Sequence, residues 1–384
     1  MKKTSPWKRL IRKKPRTKKR SAGRIVFSAL FLLVTVLFGA ALLVSFFSQY
    51  VSPNKIWFAP FLGIPYPYLY LCNGMIFIFW LIRRHRYAWV SLIAGIITLS
   101  SIGHYVQWPF GSTNKDSDAM RFLSYNINYF TRNDGGKGYS VDTISQLIRQ
   151  DSFDIVCLQE FRVEEDRFHI AAFEGKIKPL KFITSSNNLT NRRRFGTAIF
   201  SRYPAIDEGY IEFSESSNSA VYADIVFPNH KTVRIYSVHF ESISFSSKAK
   251  SLLSGDVLTG STTPPDINQT LFGMYSKMRR AYQKRAIQVV QLSAHINSSP
   301  YPVVVCGDFN DMPVSYTYNT IRGELVDPFM SVGHGIMTTF IKAIFPLRID
   351  YILHDASFTP LQYYSPRVHW SDHYPVVLHL KMPA

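Results

Sequence analysis

The first 115 residues of the chain contain no aspartate or glutamate, and long apolar runs dominate them. The clearest run, 25–47, carries no charge over 23 residues. At 1.5 Å of rise per helical residue it is long enough to cross about 30 Å of hydrocarbon. Two further apolar segments follow at 56–82 and 87–107. We therefore expect three N-terminal transmembrane helices ahead of any water-soluble domain.

A basic leader before an apolar run is also the pattern of a signal peptide. The first run is longer than the hydrophobic region of such peptides, and no small-residue cleavage site follows it. Pro60, Pro65 and Pro67 lie in the second segment and predict that its first part is kinked or interfacial. Tyrosines and tryptophans near the segment ends are typical of the membrane–water interface.

The basic residues predict the orientation. Residues 1–24 hold twelve Lys/Arg, and 83–86 is a second basic cluster between the second and third segments. The positive-inside rule places both in the cytoplasm, so residues from 108 onward are expected outside in a multi-pass protein of the cell membrane. If the second segment only dips into the bilayer, this orientation reverses.

The net charge of +18 is uneven along the chain. Twelve basic residues in the leader and four in 25–107 give +16, which leaves +2 for the remainder. The high charge therefore belongs to the membrane part and does not support a nucleic-acid partner for the rest. The three cysteines are expected to be buried free thiols, although a bridge between Cys157 and Cys306 stays open.

From residue 119 the chain alternates apolar strand-like runs with helical patterns, after a polar linker at 108–118. The spacing predicts a helix over 141–150, a hairpin from 220–227 and 232–240, and a long helix over 275–297. This organisation predicts one α/β domain over 119–384. The Ser/Thr/Gly/Pro-rich stretch Ser242–Thr270 is predicted to be an insertion that overhangs the functional site and helps to select the substrate.

Polar residues recur directly after, or just before, the predicted strands. Strands that end together bring such groups to one edge of a sheet, where ligands bind in α/β folds. Carboxylate and amide oxygens suit Mg²⁺, with Mn²⁺ or Ca²⁺ as alternatives. Taken singly, each of these residues also has an ordinary reading as a turn, a cap or a hydrogen-bonded core residue. The set comprises Asn126, Glu160, His239, Asp308, Asn310, Asp350, Asp372 and His373.

Together, the motifs Ser-Tyr-Asn-Ile-Asn, Leu-Gln-Glu, Ser-Val-His-Phe, Gly-Asp-Phe-Asn-Asp, Arg-Ile-Asp-Tyr and Ser-Asp-His-Tyr-Pro resemble those of the endonuclease/exonuclease/phosphatase (DNase I-like) superfamily. The resemblance covers residues 119–382. It implies a four-layer α/β sandwich of two packed β-sheets flanked by helices, here behind membrane helices. It also implies a divalent-metal-dependent hydrolase of phosphoester bonds.

The resemblance further implies a role for each residue. Glu160, Asp372 and Asn126 match metal-side residues of the family. Asp308 and Asn310 match the pair that positions water and a phosphate oxygen, and His239 matches a histidine of the DNase I-like and sphingomyelinase-like branches. His373 matches the catalytic histidine, and Asp350 matches the carboxylate that orients it. The sequence does not rank His373 against Asp308 as general base.

Three functions compete at this point. A membrane-tethered phosphodiesterase acting on lipid head groups is favoured by the apolar segments. An extracytoplasmic nuclease acting on DNA or RNA is compatible with the resemblance. A catalytically silent membrane-bound binding domain is the alternative from another class, and the intact acid, amide and histidine set speaks against it. The expected partners are the phosphoester substrate and the bilayer, and the sequence indicates no protein partner.

Overall fold

The structure is a computed structural model that describes most of the chain. The basic leader apart from 22–24, most of the linker, and most of the Ser242–Thr270 insertion lie outside the described residues. The described ranges are 22–108, 119–131, 140–164, 170–186, 188–190, 193–214, 216, 218–243, 267–343 and 346–382.

The N-terminal region is a bundle of helices. Its elements are α1 (Ala22–Phe47), a 3-10 turn (Ser48–Tyr50), α2 (Ala59–Gly63), α3 (Tyr66–Ile82) and α4 (Ala88–Ile102). Prolines divide the second predicted segment, because a proline is tolerated in the first turn of a helix but breaks its interior. The kink predicted for this segment is thus present as the break between α2 and α3.

The prediction of three transmembrane helices is not supported by the lengths of these elements. Among the described residues, only the 29-residue stretch Ala22–Tyr50 is long and apolar enough to cross a membrane. The apolar helices α3 and α4 have 17 and 15 residues. At 1.5 Å per residue they measure about 25 and 22 Å, less than about 30 Å of hydrocarbon. We therefore correct three candidate spans to one, because turns at both ends use part of each apolar segment.

The bundle turns its polar side chains inward. Thr35, Asn73 and Thr98 are buried between the helices. Trp80 donates its Nε1–H to Thr35 Oγ1 at 2.8 Å, and Asn73 Nδ2 donates to the Ser91 carbonyl at 2.8 Å. Large apolar side chains cover the outside instead. This pattern is the reverse of the one found in a water-soluble domain.

The rest of the described chain is built on two large β-sheets. One has the order β13-β14-β2-β3-β6-β4, with β5 paired to β6, and the other has the order β12-β10-β9-β8-β7. The strands are β1 (Val106–Gln107), β2 (Met120–Asn126), β3 (Ile155–Glu164), β4 (Lys181–Ser185), β5 (Asn188–Thr190), β6 (Arg193–Ser201), β7 (Ala205–Glu212), β8 (Ser219–Val226), β9 (Thr232–His239), β10 (Val303–Asp308), β11 (Gly335–Ile336), β12 (Asp350–His354), β13 (Thr359–Tyr364) and β14 (Val376–Lys381).

The two sheets pack face to face, and helices cover both outer faces. Phe122, Ile235 and Val304 belong to the apolar core between the sheets. Helices α5 (Val141–Gln150) and α6 (Ile170–Lys176) cover the first sheet, and α7 (Ile267–Asn297) and α8 (Tyr316–Arg322) cover the second. A short helix α9 (Phe329–Val332) follows. The predicted sandwich of two packed sheets with flanking helices is confirmed.

Several local predictions are also confirmed. Helix α5 has the predicted bounds, and β8 and β9 form the predicted antiparallel hairpin. Helix α7 is longer than predicted and begins inside the predicted insertion Ser242–Thr270. Cys157 and Cys306 are free thiols buried in the core, so the open question of a bridge is answered.

A buried ion pair lies where the bundle meets the sandwich. Arg348 donates to both carboxylate oxygens of Asp327, at 2.9 and 2.6 Å, and its Nη1 also donates to the His104 carbonyl at 3.1 Å. His104 lies two residues after the end of α4, and two residues further on β1 pairs with β11 of the sandwich region. Because Arg348 precedes Asp350 by two residues, the end of the bundle is bonded to the segment that carries a predicted site residue.

Candidate active site

The predicted site residues meet at one edge of the sandwich. The parallel pairs β2/β3 and β9/β10 end there, which delivers Asn126, Glu160, His239 and Asp308. Strand β12 is antiparallel to β10 and therefore begins at the same edge, with Asp350 opposite Asp308 in the register. His373 lies just before β14, which is antiparallel to β2.

The backbone at this edge takes conformations that ordinary residues avoid. Glu160 and Asn310 have φ of 51° and 52°, in the left-handed region. Glu160 lies where the pairing of β3 with β6 shifts register, and this bulge re-aims its side chain. A Cβ on Gly307 would lie 2.1 Å from the Val238 carbonyl oxygen, so only glycine fits there. Such strain is characteristic of functional sites.

Asp308 is the centre of the site. It is buried, and its Oδ2 accepts a hydrogen bond from Asn126 Nδ2 at 2.9 Å. The same oxygen lies 3.8 Å from His239 Nε2 and 3.8 Å from His373 Nε2. Its Oδ1 accepts the Asn310 backbone N–H at 2.8 Å, which forms an Asx turn. Asp308 is therefore both a turn residue and a member of the site. One carboxylate thus connects an amide and two imidazoles.

His373 is held from its other side by Asp350. The distance between His373 Nδ1 and Asp350 Oδ2 is 2.9 Å, and both residues are buried. Thr339 Oγ1 accepts the backbone N–H groups of Ile349 and Asp350, at 2.9 and 3.1 Å, which fixes the start of β12. The order Asp350–His373–Asp308 leaves Nε2 directed at the centre of the site, as in other Asp–His pairs.

A second acid and a second histidine complete the cluster. Glu160 Oε1 accepts a hydrogen bond from Asn126 Nδ2 at 3.3 Å and lies 3.8 Å from His239 Nε2. Asn126 therefore bridges Glu160 and Asp308. Asn310 donates its Nδ2–H to the Phe240 carbonyl at 3.0 Å, on the side of β9.

Burial and mutual charge shift the pKa values within the cluster. Burial and the neighbouring Asp350 carboxylate raise the pKa of Asp308 to about 6, although the two imidazoles oppose the rise. Burial alone would lower the pKa of His373, but the carboxylates of Asp350 and Asp308 outweigh it and raise the pKa to about 10. Burial lowers the pKa of His239. The two histidines are therefore set to opposite protonation states at neutral pH.

Asp372 is the predicted site residue whose carboxylate contacts groups outside the cluster around Asp308. Its Oδ2 lies 3.2 Å from Lys342 Nζ, and its Oδ1 lies 3.4 Å from Ser371 Oγ. Ser371 Oγ in turn donates to the Asn126 carbonyl at 2.7 Å. Asp372 therefore lies beside the cluster and contacts its border, while Asp308, Asp350 and His373 each offer an atom within 4.8 Å of the others.

Two supporting contacts were not visible in the sequence. The Phe340 ring packs against His373, with centroids 5.1 Å apart. Arg285 of α7 is fully buried, donates to the Glu241 carbonyl at 2.8 Å and lies 3.5 Å from Asp311. Glu241 and Asp311 directly follow the His239 and Asn310 segments, so Arg285 joins the two loops. Neither residue lies in a motif or a strand end, and no local pattern indicates it.

The donor set fits a hard divalent cation. Glu160, Asp308 and Asp350 bring three carboxylates together, whereas His373 is the one imidazole whose pKa is raised. His239 Nε2 and Asp350 Oδ1 are buried without a hydrogen-bond partner. Excess negative charge and unmatched polar atoms in one buried cluster are what an oxygen-ligated cation would compensate.

Comparisons with known proteins agree with the fold. The model of the Endonuclease/Exonuclease/phosphatase family matches residues 123–373, and a Domain of unknown function (DUF8431) matches residues 28–105. No match was found among curated proteins. The solved structures described below are 16% or 17% identical to the chain, so they speak for the fold alone.

Three of these structures illustrate the likeness. An endonuclease/exonuclease/phosphatase from Beutenbergia cavernae DSM 12333 has a TM-score of 0.51 and 17% identity, covering 70% of this chain and 72% of its own. A mannosyl-6-phosphatase from Bacteroides thetaiotaomicron has a TM-score of 0.47 and 17% identity, covering 68% and 99%. A 3' phosphatase from Neisseria bound to a product DNA hairpin has a TM-score of 0.46 and 16% identity, covering 68% and 98%.

Proposed function

The chain belongs to the endonuclease/exonuclease/phosphatase family, whose members hydrolyse phosphoester bonds, and from that premise we propose that it is a divalent-metal-dependent phosphodiesterase tethered to a membrane. The observation that carries the proposal is the Asp350–His373–Asp308 arrangement, with Asn126 bridging Asp308 to Glu160. It combines proton-transfer groups, amide donors and cation ligands at a single sheet edge.

Glu160 and Asn126 would hold the cation, which we propose is Mg²⁺, with Mn²⁺ or Ca²⁺ as alternatives. Asp372 is proposed as a further acid on the metal side, at the border of the cluster. When bound, the metal supplies charge neutralisation and Lewis acidity at a phosphate oxygen. Asn310 Nδ2 uses one hydrogen on the Phe240 carbonyl and would donate the other to a phosphate oxygen without adding negative charge.

Asp308 and His373 divide the proton transfers. With a pKa of about 6, the Asp308 carboxylate is ionised at neutral pH and is basic enough to accept a proton from the attacking water. With a pKa of about 10, His373 carries a proton at neutral pH, and its Nε2–H would give that proton to the ester oxygen that leaves as its bond to phosphorus breaks. Asp350 fixes the His373 tautomer through Nδ1. His239, kept neutral, adds a hydrogen-bonding group beside Glu160.

The membrane tether is α1. Its apolar side chains face outward, and Thr35 and Gly39 face the neighbouring helices, as small and weakly polar residues do between helices in lipid. The basic leader favours a cytoplasmic N-terminus. A single crossing then leaves the catalytic domain outside the cytoplasm, in the same compartment as the three crossings expected from the sequence.

A lipid head group is the proposed substrate class. The loop that follows Asn310 enters the bundle, because Met312 and Val314 pack with Leu42 and Tyr105. The catalytic edge therefore lies against the outer end of the membrane helices. A nuclease is the second candidate, but the net charge of about +2 after residue 108 offers little overall attraction for a polynucleotide.

The test is an assay of the full chain in phospholipid vesicles with Mg²⁺. Sphingomyelin vesicles, duplex and single-stranded DNA, and water-soluble inositol phosphates are offered in parallel, with Asp308→Ala as the inactive control. Hydrolysis of the lipid alone supports the proposal, whereas hydrolysis of DNA alone supports the nuclease. Absence of turnover on every substrate, together with absence of Mg²⁺ binding by calorimetry, would favour a silent binding domain.

A further inference from the structure

Helix α7 extends far beyond the catalytic edge of the sandwich. It has 31 residues and passes the edge at Arg285, which donates to the Glu241 carbonyl two residues after the end of β9. Gln288 Oε1 accepts the Glu241 N–H at 2.9 Å, so two hydrogen bonds hold α7 to Glu241 at this edge. The 18 residues 267–284 therefore project past the edge, over about 27 Å at 1.5 Å per residue.

The projecting half of α7 is held against the outer end of the bundle. The Tyr275 ring lies 5.5 Å from Trp57 and 5.2 Å from Phe61. Arg279 lies over the Trp57 ring at 5.3 Å, and Asn54 Nδ2 donates to the Gln283 carbonyl at 3.3 Å. The projection is thus fixed beside the segment that follows α1.

Large apolar side chains are exposed on this projection and on residues 47–58, at and after the end of α1. Phe272 is 74% exposed and Leu271 is 51% exposed, one turn before Tyr275. Exposed aromatic and apolar side chains continue along the outer end of α1 and the segment after it, namely Phe47, Tyr50, Ile56, Trp57 and Phe58. Arginine and lysine side chains lie at 277, 279 and 280 of α7. Exposed apolar and aromatic residues rimmed by basic ones match the bilayer interface.

We propose that residues 270–280 of α7, together with 50–58, form a surface of the catalytic domain that contacts the bilayer crossed by α1. Phe272 and Leu271 enter the boundary between head groups and acyl chains, and the basic side chains face anionic head groups. The surface continues the outward apolar face of α1 through Phe47 and Tyr50, and this continuity selects lipid as its occupant. The inference rests on the proposed membrane tether.

This contact has a consequence for the substrate. Helix α7 is bonded through Arg285 to the loops after His239 and Asn310. A bilayer contact made by the projection would therefore hold the catalytic edge facing the same leaflet. Lipid phosphoesters would reach the site from the side of the bilayer.

The experiment places one fluorophore at a time on the full chain. In a Cys72→Ser background, NBD is attached at Phe272→Cys, or at Leu271→Cys as a second reporter; Cys157 and Cys306 are buried in the core. The protein is reconstituted in phosphatidylcholine/phosphatidylglycerol vesicles that carry doxyl quenchers near the head group or deep in the acyl chains. Leu37→Cys, in the middle of α1, reports on the tether, and Ile287→Cys, exposed on α7 beyond Arg285, is the matched control.

The expected result is a loss of fluorescence at 272 and 271 that is larger with the shallow quencher than with the deep one. The label at 37 is expected to respond most to the deep quencher, and the label at 287 to neither. If 37 is quenched while 271 and 272 behave like 287, the α7 contact is overturned and the tether stands. If 37 itself is not quenched, the tether fails and the inference falls with it.

Discussion

The bundle and the sandwich place their polar side chains for different reasons. In the bundle, Thr35, Asn73 and Thr98 are buried and apolar side chains face outward. In the sandwich the core between the sheets is apolar, and the buried acids and histidines gather at one edge. With α1 as the proposed membrane tether, the first arrangement satisfies polar groups that surrounding lipid would leave without hydrogen bonds. The second concentrates charge where chemistry needs it, at a cost in stability.

The largest expected effect concerns the buried charges of the sandwich. Asp308→Ala or His373→Ala should lower turnover by about 10³-fold or more, because each removes a proton-transfer group together with its electrostatic contribution. Turnover is measured in vesicles with Mg²⁺, and folding is followed by circular dichroism. Asp142→Asn, which changes an exposed acid paired with Lys176, is the control and should keep the wild-type rate. A variant of Asp308 or His373 with near wild-type turnover would refute the site.

The next prediction tests whether exposed apolar side chains face lipid in the bundle and water in the sandwich. Leu37 on α1 and Ile206 on β7 are 59% and 60% exposed. Leu37→Arg should cost about 3 kcal/mol of membrane insertion, because a charge at the centre of a span faces hydrocarbon. Ile206→Arg should change the free energy of unfolding by less than about 0.5 kcal/mol, because that site faces water.

Membrane association of these two variants is measured by extraction at alkaline pH. Leu37→Arg should move protein into the soluble or degraded fraction, and Ile206→Arg should leave it in the membrane fraction. Equal behaviour of the two would show that the outward apolar face of α1 does not contact lipid.

The third prediction concerns how far the buried, ionised carboxylate of Asp308 lowers the free energy of unfolding of the metal-free protein. Because the folded state raises the Asp308 pKa from 3.8 to about 6, it keeps a proton that the unfolded chain has released. The stability contributed by this group is complete below about pH 4 and is lost as the pH rises through about 6. Asp308→Asn should therefore stabilise the metal-free protein by about 1–3 kcal/mol at pH 7.5, and by less at pH 5.

Thermal unfolding in EDTA at the two pH values measures this difference, and adding Mg²⁺ should stabilise the wild type more than the variant. A stabilisation that stays constant or grows toward pH 5 would contradict the assignment of the raised pKa to Asp308.

The smallest effect concerns a buried polar group of the bundle. Thr35→Val removes the acceptor of the 2.8 Å hydrogen bond from Trp80. Interhelical hydrogen bonds in lipid contribute about 0.6 kcal/mol on average. The free energy of unfolding should therefore fall by about that amount, and turnover should not change. Unfolding in detergent micelles measures it, with Val36→Ala on the outward face as the control. A loss of turnover as large as that of Asp308→Ala would show that this polar group of the bundle also serves the reaction, and the distinction between the two regions would fail.

The order and spacing of strand-end motifs were sufficient to predict the family and the sandwich, because strand ends are local features that a sheet aligns. Helix α5 and the β8/β9 hairpin were predictable for the same reason, since periodicity and turn residues act over a few positions. The roles of the eight site residues stay predictions, although the structure brings seven of them to one edge.

The sequence by itself determined the family and which segments are apolar, since both are written in residue type and short-range pattern. The tertiary structure alone decided that Asp372 turns to Lys342, that Asp308 lies between two histidines, and that α7 leans on the bundle. It also reduced three apolar segments to one candidate span. These outcomes depend on side-chain directions and on contacts between distant parts of the chain, which no local pattern encodes.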